Sequence, residues 1–522
     1  MTYNDIDIYL QKAEPFTIQF GIPSSLFLNI PQSHPLNSYW TEAIASCTSI
    51  VKVRITEVEF SNRDWEHISN ALARNSTLKD LLLDSMTLNE NNVKYACKVI
   101  RETKQLKNLM LTTVTVTQPA FEQLCEALKT NTTLQELSFY SVGLSLNQFK
   151  TLSGCLEINR SIKKLSIRKE IFYPIVAECL KDIFLKNNNL NFLFIGEASF
   201  QANAFEIFSD MIKSTESLGE LRIETPALNA KKSETLFNAL KANKSIKKLV
   251  LDKFLKPELL FIGDLLSVNT TIEKLSLENI GTDGLTNEAF ENLVKGLQEN
   301  YSLRSLQCQV NSSQNFKSLC DTIIHKPNIK ALKVNIRQAS HEPLVELLKE
   351  ARQLRSLYCF STPYFSTKAA SDIFEAMAVN KGLRKFGITE DPNATSTAAQ
   401  IFDAIKVNDT LTHLQINTNG RYQRQFWPQM ADALQDNKSL REILVKFDVI
   451  PADVLKLLER NRQEQLQHIR RLRGVIRVIV LRAQQFSSML PLEIWAMILS
   501  SIELPGVTVD FGKVLVQQLN AQ

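Results

Sequence analysis

Glycine is scarce in this chain, with 15 residues in 522, against a usual share of about 7%. That leaves little material for Gly-rich phosphate loops. No Walker loop, Gly-x-Ser-x-Gly elbow or kinase motif occurs. A run of about 18 apolar residues is also missing, so no segment reads as a membrane span. The nearest candidate, Val475 to Leu481, is short and interrupted by Arg477. The opening MTYNDIDIYLQKAEPF carries Asp5 and Asp7 and has no apolar core, so it does not read as a secretory signal. Cys-x-x-Cys pairs are absent. The eight cysteines lie far apart and read as reduced, buried residues of a cytoplasmic protein. The six histidines show no metal-binding spacing. A net charge of +5 is small for this length and argues against nucleic acid as a partner. No catalytic residue, cofactor or metal site is expected.

What is present is a repeat. The phrase Asn-x-Ser/Thr-Leu/Ile, two variable residues, then Leu-x-Leu recurs as NSTLKDLLL, NTTLQELSF, NRSIKKLSI, NKSIKKLVL, NTTIEKLSL and NDTLTHLQI. The first apolar residue of each phrase serves as an anchor. Anchors fall at Ile50, Leu78, Leu106, Leu134, Ile162, Leu190, Leu218 and Ile246, each 28 residues after the last. Ile272, Leu303, Ile329, Leu354, Leu383, Leu411 and Leu440 continue the series at steps of 25 to 31. Such periodicity marks a repeat architecture. The Leu-x-x-Leu-x-Leu segment alternates like a strand with one buried side. Between strands, Phe121, Leu124, Cys125 and Leu128 lie at i, i+3, i+4 and i+7, as do Phe290, Leu293, Val294 and Leu297. Each set is one stripe of a helix. Stacked units bury both layers in a continuous core, which predicts an α/β solenoid with an inner parallel sheet and outer helices.

Period, helix and strand core resemble ribonuclease-inhibitor-like leucine-rich repeats over about Leu36 to Lys446. The resemblance implies a protein-binding array of about fifteen units. The family often places Asn or Cys three residues after the last strand leucine; here Met86, Val114, Val142, Ala198, Phe254 and Ile280 stand there. Apolar packing is therefore expected to hold that turn, with its regularity in question. The Asn-x-Ser/Thr phrases match glycosylation sequons but fall in phase at the helix-to-strand turn, where Asn tolerates left-handed geometry. They read as structural. Degenerate repeats with helical ends also resemble leucine-rich-repeat effectors of intracellular bacteria. That likeness implies action in a host cytosol, reached without a cleaved signal peptide.

Residues 1–35 are expected to form an N-terminal cap or partial repeat, with strand-like alternation at Phe16 to Phe20 and Leu26 to Leu28. The solenoid occupies 36–447, and 448–522 reads as a small C-terminal helical domain. The steps of 26, 31, 26 and 25 residues after Ile246 leave room only for brief helices where they are short. ENIGTDGLTNEAF, in the 31-residue step, suggests an enlarged loop. Seven arginines from Arg460 to Arg482 read as the wet side of a helix or as a contact for an acidic partner. The segment 490–502, LPLEIWAMILSSI, resembles the opening of an F-box at Leu490, Pro491, Glu493, Ile494, Ile498 and Leu499. That likeness implies recruitment of the Skp1 adaptor of a ubiquitin ligase. The downstream Cys-Arg-x-x-Trp part is missing, and a plain helical cap accounts for the same residues.

Binding is expected on the concave sheet face, where the residues between the strand leucines point outward. In order they are Asp80, Leu82, Asp84; Asn108, Met110, Thr112; Glu136, Ser138, Tyr140; Lys164, Ser166, Arg168; Phe192, Phe194, Gly196; and Glu220, Arg222, Glu224. Most are polar. Leu82, Met110, Tyr140, Phe192, Phe194, Tyr358 and Phe360 are not, and with Arg222 they form the candidate partner-binding set. His413 falls on an outward strand position and reads as a solvated surface histidine. Two readings follow: a non-catalytic, monomeric scaffold that grips a protein, and a substrate receptor of a ubiquitin ligase.

Overall fold

Fourteen strands begin two residues after an anchor, and one begins at the anchor Ile50 itself. The computed structural model describes residues 16–20, 28–30, 38–56, 60–224, 228–254, 260–279, 286–337, 340–362, 365–389, 395–417, 426–445 and 450–485. All fifteen anchor side chains are at most 2% exposed. Their burial fixes the phase of every strand: the leucines at the third and fifth positions after the anchor also turn inward, and the residues between them turn out.

The chain forms two units, Met1–Leu303 and Arg304–Gln522. In the first, strands run β1 (Phe16–Phe20), β2 (Leu28–Ile30), β3 (Ile50–Thr56), β4 (Asp80–Asp84), β5 (Thr87–Leu88), β6 (Asn108–Thr112) and β7 (Thr115–Val116). They continue with β8 (Glu136–Tyr140), β9 (Lys164–Arg168), β10 (Ile171–Phe172), β11 (Phe192–Gly196) and β12 (Ser199–Phe200). Last come β13 (Glu220–Glu224), β14 (Lys248–Asp252) and β15 (Lys274–Glu278). The main sheet is parallel, in the order β2-β1-β3-β4-β6-β8-β9-β11-β13-β14-β15. The two-residue strands pair beside it as β5–β7 and β10–β12. The second unit carries a parallel sheet of β16 (Ser305–Val310), β17 (Ala331–Arg337), β18 (Ser356–Thr362), β19 (Lys385–Thr389), β20 (His413–Asn417) and β21 (Glu442–Val445), in chain order.

Helices return the chain between strands, as parallel pairing requires. Their starts are capped: Ser61 with Asp64 and Ser145 with Gln148 form reciprocal boxes, and Thr117, Asn229, Thr286 and Ser366 cap singly. Phe121, Leu124, Cys125 and Leu128 are at most 1% exposed along the helix Gln118–Thr130. The short 26-residue step after Ile246 carries a seven-residue helix, Ile262–Val268, as its length demands. The equally short step after Leu303 does not: it holds a twelve-residue helix, Ser313–Ile324, because the turn after β16 shrinks to two residues. The enlarged loop expected around GTDG, at 281–284, lies outside the described residues.

The sequon asparagines do something other than turn left-handed. Asn75, Asn131, Asn159, Asn243, Asn269, Asn300 and their equivalents sit at the helix C-cap with extended backbone; Asn159 has φ −65° and ψ 127°. Each side chain bridges two consecutive repeats. Asn159 Nδ2 donates to Leu128 O and Asn131 O at 2.7 and 2.9 Å, while its Oδ1 accepts from the Ser161 and Ile162 N–H groups at 2.9 Å each. Asn187, Asn380, Asn408 and Asn437 repeat the pattern. Where Ala351 replaces Asn, Gln353 supplies the donor to Ile323 O at 2.8 Å. The ladder ends on Asn461 in the helix Ala452–Gln485, whose Nδ2 reaches Asn437 O and Leu440 O at 3.0 and 2.7 Å. Arg460, from the basic run, donates beside it to Leu434 O at 2.7 Å.

Left-handed residues appear instead just past seven strands of the first unit: Ser85, Thr113, Ser141, Lys169, Glu197, Lys253 and Asn279 all have positive φ. Six of them donate their N–H to the last carbonyl of the next strand, as Ser85 does to Thr112 O at 2.9 Å. This backbone ladder makes the turn regular without the family's Asn or Cys. Met86, Val114, Ala198 and Phe254 pack below it, each at most 9% exposed.

Candidate functional site

The outward residues of consecutive strands line up in rows, because parallel register pairs equivalent positions. In the first unit one row reads Leu82, Met110, Ser138, Ser166, Phe194, Arg222. A second reads Asp84, Thr112, Tyr140, Arg168, Gly196, Glu224. Leu82 and Met110 are therefore neighbours; Met110, at 36%, is the exposed one of the two.

Further along, aromatic and arginine side chains alternate. The Arg168 guanidinium lies 5.0 Å from the Tyr140 ring centre and 5.1 Å from that of Phe194. Arg222 covers the same Phe194 ring at 5.0 Å. Lys164 lies 5.7 Å over Phe192, and Lys169 5.0 Å over Tyr140. Each such contact contributes roughly 0.5–1 kcal/mol at a part-exposed site. Phe194 is thus clamped between two cations, so it also has a part in holding the sheet face together.

Carboxylates hold the cations in place. Arg168 Nη2 meets Glu224 at 2.8 Å, two strands away, and Arg222 Nη2 meets Asp252 at 2.5 Å and Glu278 at 3.1 Å. Lys253 ties Glu224 and Glu197 at 2.6 and 3.3 Å, and both carboxylates raise its ammonium above the ordinary value. Arg54 pairs with Asp84. Asp84 and Glu224, read from sequence as solvent-facing, are on the outward face but buried, as are Ser138, Ser166 and Gly196. Long neighbouring side chains lie across them.

The second unit brings Tyr358 and Phe360 together at 6.1 Å with tilted rings. Tyr358 rests on Gly387 of the next strand, where a Cβ would come within 2.1 Å of its ring. Burial, and then the Glu442 carboxylate, push its hydroxyl pKa up. His413, expected to be solvated and without partners, is half-buried: Nδ1 meets Thr412 Oγ1 at 2.7 Å and Nε2 meets Glu442 at 3.2 Å. Burial, then the nearby Lys385, hold its pKa down.

Of the predicted residues, Tyr140, Phe194 and Arg222 are joined in one stack, Phe192 sits beside it, and Tyr358 and Phe360 form a separate pair. Sequence reasoning left Arg168 out of the binding set although it links the stack. The signal that identifies it, Glu224 two repeats ahead, appears only when units are aligned in register. Leu490, Pro491, Glu493, Ile494, Ile498 and Leu499 lie outside the described residues. The cysteines are all free and buried, and burial raises the thiols of Cys97 and Cys308 to about 11 and about 12. Among the described residues no group of His, Cys, Asp and Glu is placed to hold a metal, and no helix is long and apolar enough to cross a membrane.

The geometry defines a leucine-rich-repeat-like α/β solenoid. No family model matches the chain, and no curated protein matches it. Among solved structures it is similar to a chain of the yeast Rad7–Elc1 complex, at 15% identity and a TM-score of 0.39, covering 65% of this chain and 79% of that one. It is also similar to the tropomodulin C-terminal domain of Caenorhabditis elegans, at 19% identity and a TM-score of 0.23, covering 36% and 99%.

Proposed function

We propose that the chain is a non-catalytic interaction scaffold that grips a protein partner on the outward face of its sheets. One observation carries this reading: the stack Tyr140–Arg168–Phe194–Arg222 on a mostly polar face. Aromatic and arginine side chains are the types that anchor protein interfaces. Here cations and carboxylates already fix them, so little side-chain entropy is lost on association. The test is affinity capture from a cell lysate, comparing the native chain with Phe192→Ala/Phe194→Ala after circular dichroism has shown both folded. The reading expects a captured protein to disappear in the variant. An unchanged set of partners counts against this face.

Two narrower readings rest on sequence resemblance alone. One is a bacterial effector acting in a host cytosol. The other is a ubiquitin-ligase receptor that recruits Skp1 through residues 490–502. Titration of purified Skp1 against the native chain and Pro491→Ala/Ile494→Ala tests the second, and absence of binding to the native chain sinks it.

A further inference from the structure

Ile171, Tyr173 and Ile175 are each 44–50% exposed, and Leu146 of the neighbouring helix is exposed as well. Ile171 lies in β10, and Tyr173 follows on extended backbone as the N-cap of the helix Pro174–Lys186. Alternation turns both outward, while Phe172 between them is buried. Ile175 opens the same helix, and Leu146 is the first residue of the helix Leu146–Ile158 packed beside it. The repeat does not ask for these side chains. One repeat before and after, Ile171 is matched by Gly143 and Ser199, Tyr173 by Ser145 and Gln201, and Ile175 by Asn147 and Asn203. Tyr173 also forgoes a cap: its side chain accepts no helix N–H, whereas Thr117, Ser145 and Asn229 at the equivalent position each do. Helix stability is given up there for exposed apolar surface, so folding does not account for the patch.

None of the residues just named is charged. Charge begins one helical turn further on, in a line across five successive helices: Glu122, Lys150, Glu178, Glu206 and Glu234. Four of the five are acids, and Glu178 lies three residues after Ile175 on the same side of its helix. An uncharged apolar centre containing an aromatic, with a polar rim, is the make-up of a protein interface. Here the rim is acidic. The chain carries a segment of the opposite character. In the helix Ala452–Gln485 no acid follows Glu464, whereas Arg470, Arg471, Arg473, Arg477 and Arg482 do. Leu466, Ile469, Leu472, Ile476 and Ile479 recur among them at steps of three and four, the spacing of one helix stripe. Leu466, Arg470 and Arg471 are exposed. The earlier part of that helix is tied to the last repeat through Asn461.

We propose that this patch is a self-association site, occupied by the basic and apolar half of the Ala452–Gln485 helix of a second copy. Apolar side chains of that helix cover Leu146, Ile171, Tyr173 and Ile175, and its arginines meet the acidic line. Apolar burial supplies the affinity and the opposed charges supply the orientation. The association replaces the monomer expected from the sequence. The patch lies off the main sheet, so the proposal stands independently of the sheet-face reading above.

The test is sedimentation velocity of the full chain over a range of concentrations. The native mass is expected to rise from one chain to two or more as concentration rises, and to do so less readily at high salt. Tyr173→Ser/Ile175→Ser is expected to weaken association about tenfold. Its thermal unfolding, measured at dilution, should show stability kept or raised, because a serine cap is restored. Glu122→Arg/Glu178→Arg and Arg470→Glu/Arg471→Glu are each expected to weaken association about tenfold, and the two sets combined to return it to within about threefold of native. Circular dichroism checks that each variant is folded. A single-chain mass at every concentration overturns the proposal, and so does association unchanged in Tyr173→Ser/Ile175→Ser. Failure of the combined reversals to restore association overturns the helix as the occupant. None of these results depends on the Phe192→Ala/Phe194→Ala capture, so the two readings fail separately.

Discussion

Arg168 on β9 and Glu224 on β13 meet at 2.8 Å across the intervening strand β11, and the residue beneath them is Gly196. A Cβ on Gly196 would lie 2.8 Å from Arg168 Nε and 2.9 Å from its Cγ. The glycine is needed here for room rather than for an unusual φ. Because of it, one arginine spans three strands, stacks on Tyr140 and Phe194, and neutralises a carboxylate that is 3% exposed.

Gly196→Ala should displace Arg168 and leave Glu224 short of a partner. A loss of about 1–2 kcal/mol is expected, reduced from the cost of a fully buried pair because Arg168 is 29% exposed. The check is chemical denaturation of a double-mutant cycle. In an Arg168→Ala background the same glycine change should cost almost nothing, and equal costs in both backgrounds would refute the clash.

Asn159→Ala removes a ladder rung: two donated bonds to the preceding repeat, and two accepted ones that leave the part-buried Ser161 and the buried Ile162 N–H groups without a partner. Stranding buried polar groups is the expensive case, so about 2–4 kcal/mol is expected. Asn159→Asp should also destabilise, since a carboxylate cannot donate to Leu128 O and Asn131 O. Equilibrium unfolding of the two variants measures both losses.

Two glycines in helices should respond with opposite signs. A Cβ on Gly296 would come 2.3 Å from Gly263 O, because the helices Ile262–Val268 and Asn287–Glu299 touch backbone to backbone. Gly296→Ala is expected to cost about 2 kcal/mol or more despite its better helix propensity. Gly154, in the helix Leu146–Ile158, has nothing within 4 Å of its Cβ position. Gly154→Ala should stabilise by about 0.5–1 kcal/mol. Thermal melts of the two variants compare them directly.

Glu170 gives a pH signature. It is buried, and its carboxylate accepts from the N–H groups of Val142, Gly143 and Leu144 at 2.8, 2.9 and 3.1 Å. Burial raises its pKa above the ordinary 4.5, and the three N–H donors oppose that rise without cancelling it. The folded chain therefore holds this proton at pH values where the unfolded chain has released it. The associated stability is complete below the ordinary carboxylate value and is lost as pH rises through the folded pKa. Relative to Glu170→Gln, the native chain should lose stability between mildly acidic and neutral pH. Urea unfolding across that range measures it, and parallel curves would show that Glu170 has an ordinary pKa.

The periodic anchors were legible from sequence because each strand needs the same small set of apolar positions, and a period repeated fifteen times leaves one phase. The outward rows followed from that phase, so Tyr140, Phe194 and Arg222 could be named from sequence. The role of the sequon Asn could not be read this way. Local chemistry allows Asn a left-handed turn, and only the stacked neighbour, with its free carbonyls, pulls the side chain into an extended-backbone bridge. Nor did Ser85, Thr113 or Lys169 announce their positive φ, which rests on a bond to the next strand rather than on glycine.

The sequence by itself determined the repeat, its strand phase and which side chains leave the core, since these depend on hydrophobic spacing within one unit. Tertiary structure alone decided which outward residues cooperate. Arg168 with Glu224 and Tyr358 with Gly387 are relations between repeats. Register places those partners side by side although they are one or more repeats apart in the chain.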